Sequence, residues 1–151
     1  MRSAATIVTL LLAYSFCFAQ DTKPAIAGGD FTGMYSFLQD GEYVRINVEN
    51  GTRLTGFISR RGDAKGPKFV GQFFEKAEIH DHDICFTTRK VDGVWFEFNG
   101  AISRGPGKAR SAEDYYEIKG TLTRYTSQAN QAATAKATEV TFRSLPSEIC
   151  E

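Results

Sequence analysis

Histidine and cysteine are scarce in this chain: its 151 residues hold two histidines and three cysteines. That is little material for a protein zinc centre, which takes three or four side-chain ligands. No spelling resembles a nucleophile elbow, and no second thiol is close enough to make a CxxC motif. An excess of charge of one sign is also missing, since 18 basic residues face 18 acidic ones. Recognition of nucleic acid usually needs a basic face, so no nucleic-acid partner is expected. After the first 20 residues no hydrophobic run approaches membrane length, and no membrane span is expected in the mature chain.

What is present at the start is a leader. MRSAATIVTLLLAYSFCFAQ combines Arg2, a short apolar stretch and small residues around Cys17 and Ala19. This reads as a secretory signal peptide over 1–19, with cleavage after Ala19. Phe16 precedes Cys17, where a lipoprotein would carry a small residue. The segment 20–30 is polar and bears Gly and Pro, so it reads as a linker. The remainder, 31–151, is one domain's worth of chain. The expected location is secreted or periplasmic. Only Cys85 and Cys150 survive cleavage, and an even pair in an exported chain points to a disulfide.

From Phe31 onward strand signals follow closely. Val44, Ile46 and Val48 alternate with Tyr43, Arg45 and Asn47, the period of a half-buried strand. Asn50-Gly51 and Asp92-Gly93 are strong hairpin signals. Strands are predicted over 33–38, 42–49, 52–60, 69–79, 84–91, 94–104, 115–125 and 140–145. The polar, alanine-rich stretch 126–139 fits either a hairpin tip or a short helix. Short connections make successive strands antiparallel neighbours. The expected fold is all-β, an eight-stranded antiparallel up-and-down meander barrel, with a β-sandwich as the alternative.

Four glycines interrupt these strands in the setting apolar-x-Gly-x-apolar: Gly56, Gly71, Gly100 and Gly120. A glycine within a strand normally weakens it. All four share parity with larger apolar residues, so they are expected to point inward and give room to the side chains opposite. In a meander of eight strands, the last strand ends at the rim where the fifth begins. Cys85 starts the fifth strand, and Cys150 lies five residues past Leu145, a reach of roughly 17 Å. A tail across one mouth then closes a Cys85–Cys150 bridge.

The leader, the opening Gly33-Met34-Tyr35, the eight meander strands and the C-terminal cysteine together resemble the lipocalin and avidin group of secreted barrels. Tyr35 stands where those families carry tryptophan. The resemblance implies a calycin-type barrel and a general habit of binding small ligands. The chain also resembles small uncharacterised secreted bacterial proteins, which implies no activity.

The expected interior side chains are Val44, Ile46, Ile58, Phe73, Phe86, Phe96, Phe98, Tyr116 and Phe142, which either fill a core or line a cavity for an apolar ligand. Trp95 and Tyr43 are expected to point out. His80 and His82 lie two apart in EIHDHDIC, so an extended strand would put both imidazoles on one face, the start of a zinc or copper site lacking its third ligand. Glu113 and Asp114 sit at a loop edge, where solvation explains them. RGPGKAR lacks the P-loop spacing and reads as a basic turn.

The leading functional expectation is a non-enzymatic exported barrel that needs no cofactor and binds a small apolar ligand or serves as an envelope interaction module. The rivals are a metal-assisted enzyme at His80 and His82, and a structural partner protein acting through Trp95 and the 105–114 loop.

Overall fold

The computed structural model describes residues 31–51, 53–62, 66–128 and 131–146. The predicted leader, the linker and Cys150 lie outside the described residues. Eight strands follow in order: β1 (Gly33–Ser36), β2 (Tyr43–Glu49), β3 (Arg53–Arg61), β4 (Phe69–His80), β5 (Asp83–Thr88), β6 (Val94–Arg104), β7 (Tyr116–Thr126) and β8 (Thr134–Arg143). They pair antiparallel as one sheet in the order β1 to β8, so the up-and-down meander holds and the two-sheet sandwich does not. Among the described residues no helix is long and apolar enough to cross a membrane. Asn50 and Gly51 adopt φ of 52° and 75°, Asp92 and Gly93 of 52° and 76°. Two successive left-handed residues match the right-handed twist of the flanking strands, which is why Asn-Gly and Asp-Gly are placed there.

The sheet curls into a half-barrel whose ends meet only at one rim. Tyr35 bridges to Ser144, and Leu145 N–H donates to Met34 O at 2.8 Å. β1 has only 4 residues and β8 has 10, so most of β8 extends beyond its neighbour. The difference in length leaves most of the β8 edge without a neighbour among the described strands. The stretch 126–139 is neither a helix nor a mere tip, because β8 starts at Thr134. Ten registered pairs, from Glu117↔Arg143 to Thr126↔Thr134, hold it against β7. Cross-strand pairing outweighs the poor strand preference of its alanines.

Inside the curl a run of rings crosses the interior. Phe74 stacks on Phe86 at 4.4 Å, Phe86 on Phe98 at 5.2 Å, and Phe98 meets Phe142 at 5.2 Å. Phe37, from the β1–β2 connection, closes the run between Phe142 at 5.4 Å and Phe96 at 5.6 Å. Val44, Ile46, Ile58, Ile118 and Tyr116 are buried around it. Each such side chain contributes about 1.5–3 kcal/mol on burial. At one end Tyr35 is buried and donates its hydroxyl to Phe31 O at 2.6 Å. Burial pushes the Tyr35 phenol well above its ordinary range.

Three of the four glycines face the interior. A Cβ at Gly56 would stand 1.9 Å from the Arg45 carbonyl oxygen and 2.9 Å from the Phe74 ring. Gly100 pairs with Gly120 across β6 and β7, and a Cβ at Gly100 would meet the Phe98 ring at 2.5 Å. In both places the bare backbone is the surface on which an aromatic ring lies. Gly71 departs from expectation: it is exposed, with nothing within 4 Å of its missing Cβ.

Phe73 is corrected with Gly71. It is 59 % exposed and points outward, while Val70, Gln72 and Phe74 point inward. The register decides this, since Phe73 pairs with the outward Phe57 and Gln72 with the inward Ile58. A register shift against β5 between Phe74 and Lys76 then inverts the parity, so Ala77 and Ile79 face in. One inserted residue moves every later side chain to the other face.

Candidate functional site

The β4 irregularity opens the wall. β3 and β4 keep register at Phe57↔Phe73 and again at Arg53↔Glu78, spanning four steps on β3 and five on β4, and lose it in between. A cleft of about 700 Å³ lies over this break. Its apolar lining is Leu54, Gly56, Phe73, Phe74 and Ala77, and its charged lining is Arg53, Glu75, Lys76, Glu78 and Arg89. Leu54 is buried and Phe74 is stacked on the core ring Phe86, so the cleft rests on the core. Phe73 stands on the lip and packs against Phe57 at 5.5 Å, which meets Tyr43 edge-on at 5.9 Å. These three rings form an aromatic band on the outside of β2, β3 and β4.

The expected interior residues divide accordingly. Val44, Ile46, Ile58, Phe86, Phe96, Phe98, Tyr116 and Phe142 are buried together in the packed interior. Phe73 belongs to the outer cleft instead. Sequence reasoning missed the cleft, although the adjacent pair Phe73-Phe74 was a signal: an alternating strand with one buried face cannot bury both.

His80 and His82 do not share a strand face. β4 ends at His80 and β5 begins at Asp83, so Asp81 and His82 form the connecting turn, with Asp81 at φ 52°. His80 Nε2 lies 4.0 Å from Glu78 Oε2 on the exposed surface. The His82 carbonyl accepts from Ile102 N–H at 2.8 Å. Among the described residues no group of three or more His, Cys, Asp or Glu side chains comes together as a metal site.

Cys85 is half-buried on the outer face of β5 and is not bridged within the described residues. Asp83 pairs with Ala101, Ser103 with Glu117, and Glu117 with Arg143. The start of β5 and the end of β8 therefore lie on one rim.

Trp95 and the 105–114 loop do not form one surface. They sit at opposite ends of β6, whose 11 residues span about 33 Å. Trp95 stacks flat on Tyr125 at 5.0 Å and lies under Lys90 at 5.1 Å. The hydrogen bond from the Tyr125 hydroxyl to Glu97, 3.2 Å long, raises that phenol's pKa. The glycine-rich loop is pinned by Gly105 N–H to Tyr115 O, Gly107 N–H to Asp114 O and Asp114 N–H to Ser144 O.

No protein-family model matches the chain, and no curated protein and no solved structure matches it.

Proposed function

We propose that the chain is an exported, non-catalytic binding module that takes a small ligand with an apolar body in the β3–β4 cleft. The observation that carries this reading is Phe73, 59 % exposed on the lip of a cleft of about 700 Å³. Ligand sites commonly have volumes of this order, and they pair apolar walls with a few polar groups that orient the ligand. Here Phe73, Phe74 and Leu54 would meet the apolar body, while Arg53, Lys76 and Arg89 suit an anionic end. The packed interior makes the outer wall the better location. Export follows from the leader alone.

Titration of the mature protein with the hydrophobic dye anilinonaphthalene sulfonate, an apolar body with one anionic group, tests the reading. Saturable fluorescence is expected, with Phe73→Ser weakening it by about fivefold, the loss of one aromatic contact. Dye uptake that is absent, or unchanged in Phe73→Ser, overturns it. Native mass spectrometry of protein from its source then looks for a co-purified molecule.

A further inference from the structure

The two edges of the sheet are protected very differently. β1 is blunted by its length of 4 residues. β8 runs for 10 residues without proline, glycine or any break in its register with β7. Proteins normally shield an edge with a short strand, a bulge, proline, charges or a covering element. Among the described residues β8 has of these only Lys136 and Glu139 as charges before Arg143, and Thr134 through Glu139 are exposed.

The direction of the free backbone groups can be assigned. Ser144 N–H donates to Tyr116 O at 2.9 Å, toward β7, whereas Arg143 N–H donates to Ser36 Oγ at 3.0 Å, toward β1. Antiparallel residues alternate in this respect. Even-numbered residues of β8 therefore bond to β7. Ala135, Ala137, Glu139 and Thr141 direct their N–H and C=O groups out of the sheet, and no described strand meets them.

Side-chain charge selects what can add there. Lys136 lies directly opposite Arg124, and both are exposed on the concave face. Like charges in such a pair repel, and an acidic neighbour relieves them. A second copy of this chain is a poor source of that neighbour. Two β8 strands related by a twofold axis pair residues of the same face, and Glu139, the only acidic residue of β8, is on the face opposite Lys136. We propose that the β8 edge is a strand-addition site for an extended segment of a partner protein that places an acidic side chain beside Lys136. Backbone hydrogen bonds supply the attachment, as in other β-augmentation complexes, and the acidic residue sets the register.

The test is amide hydrogen exchange by NMR on the full mature chain, with a capped seven-residue Thr/Val peptide carrying one central Glu as the probe. In the free protein the amides of Ala135, Ala137, Glu139 and Thr141 should exchange quickly and those of Lys136, Thr138 and Val140 slowly. The Glu peptide should protect the first four, and the same peptide with Lys in place of Glu should bind about fivefold more weakly. Lys136→Glu should reverse that preference. Ala137→Pro removes only an outward N–H, so the fold should persist, as seen by circular dichroism, while binding is lost. Absence of protection by the Glu peptide, or no change of preference in Lys136→Glu, overturns the proposal. Four slow amides in the free protein overturn it as well: slowing that vanishes on dilution means a second copy occupies the edge, and slowing that persists means another part of the chain does.

Discussion

Arg60 donates from Nε to Gln72 Oε1 at 2.7 Å, and both side chains are buried inside the curl, Gln72 completely. Gln72 in turn donates from Nε2 to Arg89 O at 3.1 Å and to Val94 O at 2.9 Å. One amide thus ties β3 and β4 to the β5–β6 turn. Gln72→Leu is similar in size but leaves an arginine hydrogen and two carbonyls without this partner. A loss of about 2–4 kcal/mol is expected, measured by urea denaturation. A loss below about 0.5 kcal/mol, the usual surface value, would show that water replaces the amide.

Gly56 and Gly71 should behave in opposite ways. Alanine at Gly56 drives a Cβ to 1.9 Å from a backbone oxygen, whereas alanine at Gly71 meets nothing within 4 Å. Gly56→Ala should destabilise by about 2 kcal/mol or more through displaced backbone. Gly71→Ala should be neutral or stabilise by up to about 1 kcal/mol, by restricting the unfolded chain. Thermal melts of the two variants decide this, and equal effects would contradict the inward and outward placements.

Tyr35 makes the fold sensitive to alkali. Its folded-state pKa is raised by burial, so its contribution is fully present below the unfolded phenol value of about 10. Above that pH the unfolded chain ionises while the folded phenol stays protonated, and stability falls with rising pH. Tyr35→Phe should lose about 1 kcal/mol at neutral pH, the hydrogen bond to Phe31. Its stability should fall less steeply above pH 10 than the parent's. Parallel pH profiles would remove Tyr35 as the cause.

The Cys85–Cys150 bridge is expected in oxidised protein. The start of β5 and the end of β8 share one rim. The enclosed loop is long, and its closure entropy gives about 4 kcal/mol. Reduction or Cys150→Ser should lower the melting temperature and expose the tail beyond Pro146 to protease. Thiol titration of the denatured, unreduced protein should find no free thiol, and two would sink the bridge.

Much of the fold was legible from residues alone. Asn50-Gly51 and Asp92-Gly93 define their hairpins through local backbone preference, and the alternation from Val44 to Val48 defines β2 and its buried face. Phe96, Phe98 and Ile102 likewise identify the inner face of β6. These signals are local, carried by one strand or one turn. The candidate site was not legible in the same way. The alternation that puts Ile79 inside also points to Phe73, and the adjacent rings Phe73-Phe74 signal a break in that alternation without placing the extra residue between Phe74 and Lys76.

Sequence by itself determined the all-β class, the eight-strand meander and most of the packed interior, because hairpin turns and two-residue periodicity act within short stretches of chain. Tertiary structure alone decided which face of β4 is buried, since that depends on register with β3 and β5. It also decided the length of β8, through ten pairs with β7 that no propensity of its alanines would suggest. Both follow from one cause: strand register and strand length are settled by the neighbouring strand, which lies far away in sequence.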